Sequence, residues 1–242
     1  MASTKTFINK IVQFFIHIFL NRYIGLQSIT FLDYLGKYYK TYHSFSFIQV
    51  GANDGISHDI LFKFIENKNK IKGIAIEPIQ DYFAELIKNY LPLVSIVPIN
   101  IAVHPYLKEV ELYRLDKNKE YLVPHWAKGI ASVIPKHHLK SNIPTDFIVK
   151  EKVVADTFMN IYRNYCSLYD KIDLVQIDVE GFDWEIIKMI DLKKVNPHII
   201  KYEWVNLKKN DLIISCWYLK SKNYKLFIEG NDFIALKEDK IK

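Results

Sequence analysis

Two periods of apolar and polar positions alternate along this chain. Phe45, Phe47, Ile48 and Val50 form a short run of β-favouring residues that predicts a buried strand. The run breaks at Gly51-Ala-Asn-Asp-Gly55, and a helical pattern then opens near Ser57 with Ile60, Leu61, Phe64 and Ile65 on one face. The same succession repeats. Lys72 to Glu77 reads as a second buried strand stopped by Pro78, and Tyr82, Phe83, Leu86, Ile87 and Tyr90 mark the helix that follows. Val94 to Ile99 is a third strand, ending at the polar Asn100. Ile172 to Asp178 and His198 to Tyr202 supply the fourth and fifth, with a helix over Trp184 to Ile190 between them. A helix over Asp211 to Lys220 precedes two further strands, Tyr224 to Glu229 and Asp232 to Lys237, joined through Gly230-Asn231 as a hairpin. Strands alternating with helices predict an open, mostly parallel α/β sheet with helices on both faces. Here an antiparallel pair closes it.

Two regions depart from that rhythm. Phe7 to Leu20 is strongly apolar, yet Asn9, Lys10, Gln13, His17 and Asn21 lay a narrow polar stripe along it. The run is short for a membrane span, which needs about 20 mostly apolar residues, and no small-residue cleavage site follows it. It reads as a helical arm packed on the domain or on a second subunit of a homodimer, or as an interfacial helix in peripheral contact with a membrane. Phe31 to Tyr42 continues as a helix, giving an arm over residues 1–43 and an α/β domain over 44–242. The second departure is His104 to Lys152. Glu109 to Tyr113 alternates like an exposed strand, but Pro124, His125, Trp126, Gly129, Ser132, Pro135, His137 and His138 follow no period. A long irregular stretch of this kind reads as a lid or substrate-facing insertion. A helix over Asp156 to Tyr165 resumes the pattern.

Composition narrows the class. Half of the 242 residues are hydrophobic and 14% are aromatic, enough for a sizeable core. The net charge of +6 comes from scattered lysines, which suit a solvated surface better than a nucleic-acid footprint. Cys166 and Cys216 are too few for a disulfide framework or a zinc site and point to a reducing, cytoplasmic setting, with membrane association through the arm as the variant.

The candidate chemistry lies at the strand ends. Gly51 to Gly55 lacks the Lys-Ser/Thr pair of a P-loop and does not follow G-x-G-x-x-G spacing, and Asp54 puts negative charge where a pyrophosphate would sit. An acidic glycine turn suits a ligand with a cationic head, as S-adenosylmethionine has. Glu77 stands about twenty residues beyond, where an α/β nucleotide unit places its ribose-binding carboxylate, and Asn100 ends the next strand. Asp178 and Glu180 are two apart, which along a strand puts both carboxylates on one side. They suit a base or a cation site there; taken alone, two such carboxylates read first as caps for the following helix.

This order of blocks resembles the FkbM family of class I S-adenosylmethionine-dependent methyltransferases. The marks are Ile48-Gln-Val-Gly-Ala-Asn-Asp-Gly55, Ile76-Glu-Pro78, Asn100-Ile-Ala102, Gly129-Ile-Ala-Ser132, Ile177-Asp-Val-Glu-Gly181 and Tyr202-Glu203. The resemblance implies a Rossmann-like seven-stranded sheet and methyl transfer to an oxygen, often a sugar hydroxyl, on a glycan or small-molecule acceptor. Carried over by position, Gly51, Asn53, Asp54 and Gly55 would cradle the methionine part of the donor, Glu77 the ribose and Asn100 the adenine. Gln49, Pro78, Ile101 and Asp178 complete the donor-binding set. Gln49 and Gln176 stand where aspartate and lysine are frequent in the family, so roles tied to those charges do not carry over. Asp178, Glu180 and Glu203 are the candidates for a general base or a Mg²⁺ site, with His125 or His138 as alternative bases. A nicotinamide-dependent oxidoreductase, a binding protein that kept only the fold, and an RNA methyltransferase are the competing readings. The acidic turn speaks against the first, and the lack of a base-stacking motif against the last.

Overall fold

A computed structural model describes residues 29–57, 59–167 and 169–238. The apolar stretch at Phe7 to Leu20 lies outside them. The first described helix, α1 (Phe31–Tyr42), starts from Thr30, whose hydroxyl accepts from the Asp33 amide while the Asp33 carboxylate accepts from the Thr30 amide. Its face buries Phe31 and Leu35 in one core cluster with Phe45, Phe47, Phe64 and Ile65, so this helix is part of the α/β unit's own core.

The large sheet is built from β1 (Phe45–Val50), β2 (Ile71–Ile76), β3 (Ile96–Ile99), β8 (Leu174–Ile177), β9 (Ile199–Glu203), β10 (Tyr224–Glu229) and β11 (Asp232–Lys237). Its order is β10-β11-β9-β8-β1-β2-β3. The strands β3, β2, β1, β8 and β9 are parallel, as their apolar runs predict. The β10–β11 hairpin does not simply append to the edge. Its second strand, β11, pairs antiparallel with β9 and so lies between β9 and β10.

Helices α2 (Ile60–Ile65) and α3 (Gln80–Tyr90) pack with α1 on one face of the sheet. Helices α4 (Phe158–Tyr165), α5 (Asp183–Met189) and α6 (Lys209–Ser221) cover the other, around Ile48, Ile74, Val175 and Ile200. Successive strand residues point to opposite faces, which is why adjacent positions feed different clusters.

The stretch expected to be irregular has ordered ends. β4 (Ala102–Val103), β5 (Glu109–Leu115), β6 (Ala131–Ser132) and β7 (Ile148–Asp156) form a second sheet in the order β4-β7-β5-β6. Only the span between β5 and β7 lacks long elements, and it is made largely of short 3₁₀ turns. In β7, Ile148 to Asp156, Lys150 and Lys152 lie on the exposed side as alternation requires, but Glu151 on the inner side and the exposed Val154 break the apolar–polar pattern and mask the strand in the sequence. Among the described residues no helix is long and apolar enough to cross a membrane.

Candidate active site

Parallel strands share one carboxyl edge, and along that edge runs a cavity of about 300 Å³. The ends of β1, β2, β8 and β9 line it from below, and Trp126, Gly129 and Ser132 of the insertion face it from above.

At one end, the glycine turn is held by Glu77. Its Oε2 accepts from the Asn53 amide and its Oε1 from the Ile79 amide, each at 2.8 Å. Burial pushes the Glu77 carboxyl up from the ordinary 4.5 to about 7, against the pull of those two amides. Gly51 has φ +82°, and a Cβ there would lie 1.8 Å from the Asp178 carbonyl oxygen. Only glycine lets the end of β1 approach β8 that closely. Gln49, Gly51, Asn53, Glu77, Pro78, Ile101 and Asp178 all border the cavity.

Three expected donor contacts face elsewhere. Asp54 turns into its own loop: Oδ1 accepts from the amides of Ile56 and Ser57, and Oδ2 from the Ser57 hydroxyl. A carboxylate this short prefers its neighbouring amides to a ligand beyond them. Gly55 faces α3, where a Cβ would lie 2.5 Å from the Tyr90 ring. Asn100 is exposed, and its Nδ2 donates to the carbonyls of Glu77 and Pro78. None of the three lines the cavity.

Beneath the turn lies a polar rung unexpected in a buried sheet. Gln49 of β1 pairs in register with Gln176 of β8, and Gln176 with Lys201 of β9. Gln49 Nε2 donates to Asp59 Oδ2 at 2.8 Å and Gln176 Nε2 to Asp59 Oδ1 at 3.2 Å. Asp59 also caps α2 through the Leu61 amide. Lys201 forms an ion pair with Asp232 of β11 at 2.7 Å. The two glutamines that depart from the family pattern therefore share one partner, a buried aspartate that no motif marked. One signal could have found this group: Gln49, Gln176 and Lys201 each interrupt an apolar strand just before its end.

The other end of the cavity is acidic. β8 stops at Ile177 and Glu180 takes φ +54° in the following turn, so strand alternation does not govern Asp178 and Glu180. Both reach the cavity nevertheless, and neither side chain caps α5. Asn206 Nδ2 donates to Glu180 Oε2 at 2.9 Å and to Glu203 Oε2 at 2.6 Å, bridging two carboxylates. Desolvation and then Asp178 raise the Glu203 carboxyl, and desolvation and then Glu180 raise that of Asp178, whose accessible surface opens on the cavity. Among the described residues no group of three or more His, Cys, Asp or Glu side chains is arranged to hold a metal ion, so the Mg²⁺ site expected at Asp178, Glu180 and Glu203 is not formed.

The histidine that reaches this cluster is His137, buried, with Nε2 2.7 Å from Glu180 Oε2. His138 instead meets the Thr145 hydroxyl, and His125 is exposed; neither lines the cavity. A 3₁₀ turn decides between neighbouring histidines, and its phase has no mark in the sequence.

Comparison with known proteins adds the family. No curated protein matches the chain in sequence. Among solved structures it is similar to the METTL16 methyltransferase domain, at 12% identity over 86% of this chain and 68% of that one, with a TM-score of 0.46. A Methanococcus jannaschii fibrillarin pre-rRNA processing protein is similar at 16% identity over 81% and 68%, with a TM-score of 0.42. The human methyltransferase 10 domain containing protein is similar at 12% identity over 87% and 84%, also with a TM-score of 0.42. Likenesses this distant carry no argument about function. The sequence itself matches the methyltransferase FkbM domain over residues 49–226, from the polar end of β1 into β10, and the chain belongs to that family of methyltransferases.

Proposed function

We propose that this methyltransferase takes its methyl group from S-adenosylmethionine and places it on a hydroxyl of a sugar, in a glycan or a glycosylated small molecule. The observation that carries the reading is the acidic lining of the cavity. Among the described residues, Asp59, Glu77, Asp178, Glu180, Glu203 and Asp232 line it against Lys128 and Lys201. Burial raises several of these carboxyls, and a cation bound among them restores their charge, so the wall suits a cationic donor better than a polyphosphate backbone, which speaks against a nucleic-acid acceptor. Gln176 Oε1 is buried with no hydrogen-bond partner, an acceptor fitted to a donor's N–H. S-adenosylmethionine supplies an electrophilic methyl group when bound.

The chain's own residues then divide the remaining work. Gly51 and Asn53 bring backbone close to the ligand, and Glu77 with Pro78 borders the ribose position. A sugar hydroxyl is a weak nucleophile, so its proton needs a base. Asp178 is the accessible carboxylate of the acidic end, whereas Glu180 and Glu203 are tied through Asn206. Trp126, 56% exposed at the cavity wall, offers an aromatic face to the apolar side of a sugar ring.

Titration calorimetry with S-adenosylmethionine, followed by methyl transfer to a panel of glycosides, tests the reading. Asp178→Asn should lower kcat by about 10²- to 10⁴-fold with donor affinity within a few-fold of wild type. Wild-type protein that binds no S-adenosylmethionine would overturn the donor assignment, and transfer to non-sugar acceptors alone would overturn the acceptor.

A further inference from the structure

The polar rung assigns a task that the glycine turn does not perform. Asp54, the acidic residue of that turn, has both oxygens closed into its own loop. Asp59 is different. It is 8% exposed, it lines the cavity, and its hydrogen bonds come from neutral donors: the Leu61 amide and the side-chain amides of Gln49 and Gln176. Two oxygens with about four lone-pair sites therefore keep an open position. Beside them Gln176, 6% exposed, presents the unpartnered Oε1. One strand further along the rung, Lys201 gives one contact to Asp232 and has two more N–H donors to give.

We propose that this rung holds the amino-acid end of the methyl donor as a zwitterion, its ammonium on Asp59 and Gln176 Oε1 and its carboxylate on Lys201. The inference rests on the donor reading above and goes past it by naming the clamp. Gln176 and Lys201 are register partners on neighbouring strands, which stand about 4.8 Å apart, and both line the cavity, so one ligand can meet both. The arrangement also accounts for the neutral glutamines. An aspartate at Gln49 would set a second carboxylate against Asp59, and a lysine at Gln176 would neutralise Asp59 before any ligand arrived. With amides in both places, Asp59 is hydrogen-bonded by neutral groups, and Lys201, the cation that acts on it, is shared with Asp232, so an incoming ammonium offsets the burial that raises this carboxyl.

The test uses the full-length protein and four ligands: S-adenosylmethionine, S-adenosylhomocysteine, decarboxylated S-adenosylmethionine, and 5′-methylthioadenosine, which lacks the amino-acid end. Asp59→Asn keeps a good helix cap while removing the charge. It should weaken the first three ligands about tenfold or more and leave 5′-methylthioadenosine within about twofold. Gln176→Met, which spares the cap, should show the same selectivity. Lys201→Met should weaken S-adenosylmethionine but not its decarboxylated form, and wild type should already favour the former. Asp59→Asn and Gln176→Met that weaken all four ligands alike, or none, would overturn the clamp while leaving the donor reading intact. A wild-type protein that binds none of the four would remove both.

Discussion

A single carboxyl group can serve a turn or a ligand, and the hydrogen bonds of Asp54 commit it to the turn. Asp54→Ala should therefore cost about 1–2 kcal/mol of stability, read by urea titration, with S-adenosylmethionine affinity unchanged within about twofold. A loss of affinity with stability intact would reverse that assignment. The neighbouring Asp59 is the contrary case: no motif surrounds it, yet it faces the cavity. At this scale the sequence is legible where residue type alone sets the geometry. Gly51 is such a position, because its φ and the nearby Asp178 carbonyl exclude a side chain. It is illegible where orientation decides, as with Asp54 against Asp59, or His137 against His138, because one step of a turn redirects a side chain without changing composition.

Among the elements, the insertion comes close to the glycine turn at Gly129. Gly129 takes φ +86°, and a Cβ there would lie 1.9 Å from Asn53 Nδ2. Its amide also donates to the Tyr82 hydroxyl, which in turn donates to Glu120. Gly129→Ala should pull the insertion away from Asn53. Hydrogen exchange should then quicken over residues 116–147, while the amides of β1, β2 and β8 keep their protection. Uniform loss of protection would instead mean that the insertion is integral to the core. The parallel strands and their helices are readable because each is an apolar run or an apolar face bounded by a turn residue, even where it is only four to six residues long. β6 and the 3₁₀ turns are not, since they are short and carry neither an apolar run nor a period.

For the whole molecule, a net charge of +6 coexists with a cavity walled mainly by acids. That segregation has a thermodynamic signature. Glu77 holds its proton up to about 7 in the folded chain against an ordinary 4.5, and burial likewise raises Asp59, Asp183 and Glu203. The folded state thus binds more protons than the unfolded state across that window, so this contribution to stability is complete below about pH 4.5 and is lost as pH climbs through about 7. Thermal melts should give a higher Tm at pH 5.5 than at pH 8, and Glu77→Gln should narrow the difference. A Tm that rises with pH over that range would contradict the burial of these groups.

The position of β11 between β9 and β10 has a consequence for biosynthesis. Asp232, the counter-ion of Lys201, belongs to the last of the sheet's strands to leave the ribosome. A nascent chain ending before that strand would carry the whole glycine turn and yet have Lys201 in its floor without its ion-pair partner. Competence to capture a donor would then arrive late, as the closing segment slots between two neighbours already made.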